Sequence, residues 1–336
     1  MDFRLTDDQR ALRAGVRELL EGRFPRERLR AVVDGGEPAV DRALWRELGG
    51  AGFFALRLAE ADGGVGLGLP EAALVFEEAG RALLPGPLVA THLAAGVVEG
   101  AAEGRAVVTA LDAARGAEPG AAGPLVEHLA SADAVLVIGD DEGDRRVGVL
   151  PAAGLARSAR PIRSVDPATP LHRLDRLHRL DPGGCSGGGP PTAAARLRRE
   201  AVLLTAALQL GSAARTVEMA VRHAGERFQF GRAIGTFQAV QHLCAGMLVR
   251  AETARSMVYA AAVTEDADDV AAAKLLADEA AVRNARDSLQ VHGGMGFTWE
   301  ADVHLHLKRA WVRAGQWQTA AEAEEGLAAG LLRPGV

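Results

Sequence analysis

From about Ala195 to the C terminus, apolar residues recur at helical spacing through four long segments joined by short turns. Leu197, Ala201, Leu204, Leu208 and Gly211 fall on one face of the first, and Phe237, Val240, Cys244, Met247, Ala251, Ala254 and Val258 on one face of the second. The third runs from Val270 to His292, with Ala277, Ala281 and Ala285 spaced by four, and the fourth from about Ala320 to Leu332. Segments of this length bury their stripes by packing on one another, which predicts an antiparallel four-helix bundle over residues 193–336. Small residues on the faces allow close packing, including against a second copy.

Upstream, Thr6-Asp-Asp-Gln9 reads as a capping box with Leu5 as a staple, starting a helix that runs to about Gly22. Further helices are expected at about 40–50, 70–84 and 87–99, with Pro70 in a first turn and Glu71 on the positive end of the dipole. The glycine-rich turn Asp62–Gly68 has no buried strand before it and no lysine, so it reads as a connection between helices and not as a phosphate loop. Residues 1–102 are therefore expected to form an N-terminal helical domain.

From Ala106 the period changes. Ala106–Leu111, Ala134–Ile138 and Val147–Leu150 are short β-branched runs between turn residues, predicting a reduced β domain and linker over residues 103–192. Asp140–Asp144 reads as a solvated hairpin loop, since five residues cannot supply the spacing of a calcium-binding helix–loop–helix. The pentad Leu171–Asp175 nearly recurs at Leu177–Asp181, too briefly to define a repeat architecture, and Asp181–Thr192 reads as an exposed linker. The expected fold class is mainly α with a small β domain.

Composition narrows the function. With 48% hydrophobic and 24% charged residues, the 336-residue chain can bury a sizeable core, built from Ala, Leu and Val because aromatics are only 4%. The formal charge of −6 argues against a broad nucleic-acid surface. Cys185 and Cys244 lack metal-ligand spacing, so no metal is expected, and a reducing compartment fits better than a disulfide framework. No signal peptide and no long apolar run stands in the sequence, so a cytoplasmic protein that does not enter a membrane is expected.

The densest chemistry lies in Arg227-Phe-Gln-Phe-Gly231 and its continuation through Ile234–Gln238 to Gln241-His242, where a loop hands over to a long helix. Arg227 offers a guanidinium fork for a diphosphate, and Gly231 allows close backbone approach. Phe228, Phe230 or Phe237 can pack on a flat ring, and Gln238 can hydrogen-bond a ring edge. The alternative is a helix–loop–helix corner with buried aromatics. A second motif, Gln290-Val-His-Gly-Gly-Met-Gly-Phe297, ends a helical segment with a glycine-rich turn. A third group opens the chain: Leu5–Gln9, Ala43-Leu-Trp45 and Asp62–Leu67.

In this order, over the first hundred residues and from about Ala195 to Arg313, these motifs resemble the acyl-CoA dehydrogenase family. The resemblance implies a helical domain, a β domain and a helical bundle. It also implies FAD, with the adenine diphosphate end capped by residues of a neighbouring subunit. Carried onto this chain, the capping residues are Arg227, Phe230, Phe237, Gln238, Gln290, Gly293 and Gly294.

Two family elements are missing. The segment that binds the isoalloxazine ring is not found; Thr109-Ala-Leu-Asp112 stands roughly in its place, and no tryptophan lies between Trp45 and Trp299. The family's base, a glutamate 27 residues after the position of Gln290, falls here on Trp317, with Gln318 beside it. Neither side chain can accept an α-proton. Glu325-Gly326 reproduces the family dipeptide eight residues late in an acid-rich helical segment, where solvated charge is expected. Some members place the base on the first bundle helix, which here is Ala201, one residue from Glu200. One residue of register turns a side chain by about 100°, and Arg196, Arg198 and Arg199 make this a charged first turn, so Glu200 is a weak candidate.

The resemblance therefore points to the short subunit of an actinobacterial heteromeric (α2β2) acyl-CoA dehydrogenase. Such a subunit would share FAD with a full-length partner, act on an acyl-CoA, including CoA esters of steroid side chains, and pass electrons to an electron-transfer flavoprotein. The alternatives are a self-sufficient homo-oligomeric flavoenzyme with Glu200 as base and a flavin-free scaffold.

Overall fold

The computed structural model describes residues 4–113, 123–139, 147–174 and 192–332. The chain divides into two compact units, one of Met1–Pro25, Ala73–Leu84 and Val202–Val336, the other of Arg26–Ala72 and Pro85–Ala201.

In the first unit, α1 (Asp7–Arg23) starts on the expected capping box, with Thr6 Oγ1 accepting from the Gln9 amide and the Gln9 side chain accepting from the Thr6 amide. The long helices are α7 (Thr192–Glu226), α8 (Gln238–Thr264) and α9 (Ala267–His292), the last capped by Asp266. Ala277, Ala281 and Ala285 are fully buried, as their spacing predicts. The periodicity reading passed over a helix at Val303–Ala314, α10. Its Val303 and Leu307 join Met219 of α7 and Ala285 and Leu289 of α9 in one cluster, so α10 completes a bundle with α7, α8 and α9. Its histidines and arginines masked the stripe. The helix expected last, α11 (Ala320–Leu331), is present and lies on α9.

A one-sided stripe on α7 is corrected: every residue from Glu200 to Ala213 is buried. Some of its polar groups find partners within the bundle, while Thr205 Oγ1 and Gln209 Oε1 are buried without one. Gln209 Nε2 donates to Asp278 Oδ1 (2.9 Å) and to the Ala310 carbonyl (3.0 Å), while the buried Lys274 ammonium pairs with Asp278. Close approach is supplied by glycine. A Cβ at Gly211 would sit 1.8 Å from the Glu77 carbonyl oxygen, and one at Gly80 would sit 2.0 Å from that of Leu208. Gly211→Ala is therefore expected to lower stability by ~1–3 kcal/mol or more through overpacking, measured as a fall in the denaturation midpoint; an unchanged midpoint would contradict the close helix crossing.

His306 of α10 is held 2.8 Å from the Ser212 hydroxyl, and burial, reinforced by surrounding arginines, pushes its pKa down to about 3. The unfolded chain thus takes up a proton that the folded chain refuses. Its contribution to stability is full above the ordinary histidine pKa and is lost as pH falls from ~6.5 toward the folded value. Unfolding free energy is expected to drop by up to about 1.4 kcal/mol per pH unit from this group. Comparing His306→Gln with the parent chain between pH 7 and 5 checks it: the variant should show a shallower slope.

The second unit carries α2 (Arg26–Val33), α3 (Arg42–Gly50) and α5 (Leu88–Leu93), while α4 (Leu69–Arg81) begins in it. Helix α2 was not read from the sequence because two turns are too few to show a period. The helix expected at 87–99 stops at Leu93, giving way to turns with positive φ at Gly96 and Gly100. The Asp62–Gly68 turn is a connection, as expected, with a short 3₁₀ turn at Glu60–Asp62. No strand is described before Val108.

Two three-stranded sheets follow, formed by β1 (Val108–Asp112), β2 (Leu125–Glu127), β3 (Ala134–Ile138), β4 (Val147–Pro151), β5 (Ala159–Ile162) and β6 (Leu171–Leu174). A short helix, α6 (Ala152–Ala156), follows β4. In one sheet β3 lies between β1, parallel, and β4, antiparallel with Ile138 opposite Val147. In the other, β6 lies antiparallel between β2 and β5. The three predicted runs are β1, β3 and β4. Strands β2, β5 and β6 were missed because they are short and alternate imperfectly. Leu171–Leu174 of the first pentad form β6; Asp175, the acidic loop, the second copy, the linker up to residue 191 and Cys185 lie outside the described residues.

Candidate flavin-capping site

Helix α7 ends at Glu226 and the chain turns back through a two-stranded hairpin, β7 (Phe228–Gln229) and β8 (Arg232–Ala233). The two loop residues, Phe230 (φ 52°) and Gly231 (φ 77°), both have positive φ, the geometry that matches the twist of a tight hairpin. Glycine takes it at no cost, whereas a bulky aromatic is strained there. The Phe230 ring is nevertheless 92% exposed. It meets Phe237 edge-on at 6.2 Å, and the Arg232 guanidinium lies 4.3 Å over the Phe237 ring. A corner with buried aromatics is thus excluded: Phe228 and Phe230 are both exposed.

The hairpin is tied to the end of the bundle. The Ile234 amide donates to the Arg227 carbonyl, Gln241 Nε2 donates to the Gly235 carbonyl, and Ile234 and Val240 pack on Ala220, Ala224, Met247 and Val291. His223, in the last turn of α7, stacks on His292, in the last turn of α9, with ring centroids 4.2 Å apart. Burial, then the charges of His292 and Arg227, holds the His223 pKa below its ordinary value. The structure thus brings the Arg227–Gln238 stretch and the Gln290–Gly294 stretch to one end of the bundle. The stacked histidines that join them were not read from the sequence, although each lies within four residues of a predicted site residue.

The exposed groups at this end fit an anionic, ring-bearing ligand. Arg227 is exposed and, among the described residues, has no ion-pair partner. The exposed side-chain amides of Gln238 and Gln290 hold no intramolecular partner among the described residues. Gly293 has φ +60°, so its need for glycine is conformational. Gly294 has no positive φ, and a Cβ there would meet nothing within 4 Å. Nothing among the described residues requires glycine at 294. Phe297, 75% exposed, and Met295 extend the apolar surface.

The remaining predicted positions offer no such groups. Thr109 is buried and donates to the Glu127 carbonyl (2.6 Å), and Asp112 pairs with Arg198 (2.9 Å). Trp317 sits at φ +61° in the turn between α10 and α11, with Gln318 beside it, and neither carries a carboxylate. Glu325 is exposed on α11, the solvated charge expected.

Glu200 is corrected. It is the ninth residue of α7 and buried, not part of a charged first turn. Arg57 Nη1 donates to its Oε2, and His92 Nε2 lies 3.2 Å from its Oε1. Burial raises its pKa, but His92 and then Arg57 outweigh that and hold it below the ordinary carboxylate value. Its neighbouring arginines are not the cause; Arg198 turns to Asp112 and the Gly139 carbonyl.

The acyl-CoA dehydrogenase N-terminal domain family matches residues 6–103, and the acyl-CoA dehydrogenase C-terminal domain family residues 187–315. The acyl-CoA dehydrogenase IpdE2 of Mycobacterium tuberculosis is 35% identical over 310 residues, covering 90% of this chain and 91% of the relative. The ChsE4-ChsE5 complex from Mycobacterium tuberculosis contains a chain that superimposes with a TM-score of 0.83 at 26% identity, each chain covered completely. A chain of the steroid ACAD Tcur3481-Tcur3483 gives 0.80 at 26% identity, over 97% of this chain and 98% of that one.

Proposed function

Because the chain belongs to the acyl-CoA dehydrogenase family, we propose that it is the flavin-capping subunit of a heteromeric acyl-CoA dehydrogenase, completed by a full-length partner. The observation that carries this reading is the contrast between the two halves of a flavin site. The diphosphate-capping groups Arg227, Gln238, Gln290 and Gly294 are exposed with no internal use, whereas Thr109 and Asp112, where ring-binding groups are expected, are consumed inside the chain.

In this reading Arg227 forms a charge-assisted contact with the FAD diphosphate, Gln238 and Gln290 hydrogen-bond the nucleotide end, and Gly293 and Gly294 let the backbone approach it. Phe230 and Phe237 shield the adenine end from water. The flavin, when bound, supplies hydride acceptance in the α,β-desaturation of an acyl-CoA thioester. The partner contributes the ring-binding segment and the carboxylate that accepts the α-proton, and an electron-transfer flavoprotein takes the electrons onward. The likeness to the ChsE4-ChsE5 complex and to a steroid ACAD supports a heteromeric assembly and a steroid-derived acyl group. The domain borders 1–102, 103–192 and 193–336 remain our division of the chain.

The self-sufficient reading, with Glu200 as base, is disfavoured because both carboxylate oxygens are engaged and the pKa is lowered. A flavin-free scaffold leaves Gly294 and the strained, exposed Phe230 without a purpose. Co-expression with a full-length acyl-CoA dehydrogenase subunit tests the proposal: a stable assembly with equal numbers of both chains and one flavin per pair is expected. A chain that stays apart from every such subunit would sink it.

A further inference from the structure

We propose that a cleft in the first unit, sharing no residue with the flavin-capping groups, binds an oxyanion. The cleft has a volume of about 230 Å³ and is lined by Arg13 and Arg17 of α1, Glu77 and Arg81 of α4, Glu218 of α7 and Arg255 of α8, with Gly211 and Ala214 on the α7 side.

Its donors outnumber its acceptors. Glu77 is saturated, with Oε1 taking Arg255 Nη2 (3.1 Å) and Oε2 taking the Tyr259 hydroxyl (2.7 Å). Both oxygens of the neighbouring Glu78 are taken by Arg17, through Nη2 (2.6 Å) and Nε (2.8 Å). Glu218 accepts from Arg81 at Oε1 and from Arg215 at Oε2. Glu252 takes Arg255 Nη1. The four lining guanidiniums, of Arg13, Arg17, Arg81 and Arg255, thus face two lining carboxylates, Glu77 and Glu218, whose oxygens are used, with Glu78, Glu252 and Glu21 as outlying acids.

Donors remain. Arg17 keeps Nη1 and Arg81 keeps Nη2. Arg13 has one long contact, 3.5 Å to the Tyr259 hydroxyl, and, among the described residues, no carboxylate. Guanidiniums stay charged throughout the working pH range. Water can accept from these donors without neutralising their charge. A phosphate or carboxylate does both, and offers several oxygens to planar forks that favour bidentate contact. The volume suits a small oxyanion, free or at the end of a larger molecule.

The test is isothermal titration of the full chain, in the assembly in which it purifies, with inorganic phosphate and separately with acetate, against chloride at matched ionic strength. Saturable binding of phosphate, of acetate or of both is expected, and which one binds assigns the class. Titration with adenosine 3′,5′-bisphosphate then separates a free anion from the phosphate of a nucleotide by which binds tighter. Arg13→Gln should weaken binding tenfold or more, with Arg13→Lys falling in between because the charge remains and the fork is lost. Arg13 is half-buried with a single long contact, so circular dichroism should show the variants folded. Heats no larger than those of chloride, or Arg13→Gln binding as the parent does, would overturn the proposal; if the variant fails to fold, the wild-type titration alone decides.

Discussion

Replacing Glu200 by Gln is expected to cost ~3–5 kcal/mol of folding stability while leaving turnover of the folded complex unchanged. The carboxylate is buried and joined to Arg57 Nη1 and His92 Nε2, both in its own unit. Removing one member of a buried ion pair leaves the other without its counter-charge, which costs more than an exposed pair is worth. Arg57 keeps partial access to water, which places the loss toward the lower end of the range. The pH dependence follows the same geometry. Because the folded-state pKa of Glu200 is lowered, its contribution is present above the ordinary glutamate pKa of ~4.3 and is lost as pH falls through the folded value. Denaturant unfolding of the parent and the variant at pH 7 measures the first effect. Turnover with a panel of acyl-CoA esters and an artificial electron acceptor measures the second. General-base loss slows a reaction by ~10²–10⁴, so a hundredfold drop in turnover with unchanged stability would make Glu200 the active-site carboxylate.

Arg227→Ala and Gln290→Ala are each expected to weaken flavin retention in the assembled enzyme without unfolding the chain. Both side chains are exposed and engage no other group among the described residues, so truncation removes no internal contact. A hydrogen bond to a charged group contributes ~1.5–3 kcal/mol, which converts to a loss of tens-fold or more in affinity for Arg227. Gln290 would contact the nucleotide through uncharged hydrogen bonds, so its effect should be smaller. Flavin absorbance after gel filtration, with circular dichroism as the folding control, reads both. Unchanged flavin content in Arg227→Ala would mean that the hairpin does not hold the cofactor.

Long elements with a clean period were legible. The capping box at Thr6–Gln9 and the alanine ladder of α9 are where the sequence put them, because caps and spacing of four act locally. Helix α10 was hidden because its buried face includes His304 together with His306, Arg309 and Arg313, and the partners of these last three are distant in sequence. Arg309 reaches the carbonyls of Leu83 and Leu84, and Arg313 that of Leu208, contacts that no local pattern announces. The same limit governed Glu200, whose flanking arginines suggested a charged first turn while its true partners, Arg57 and His92, lie 143 and 108 residues away in the chain. The two motifs proposed to cap the flavin stood out in the sequence because each is local to one hairpin or one helix end. What the sequence left open was exposure, and there the structure excluded the buried-corner alternative for Phe228 and Phe230.

The most direct test is the flavin absorbance and acyl-CoA turnover of this chain purified by itself, beside the same chain co-expressed with a full-length acyl-CoA dehydrogenase subunit. Colourless, inactive protein alone, and yellow, active protein with one flavin per pair in the complex, is the predicted result. Yellow protein that turns over acyl-CoA without a partner would contradict it.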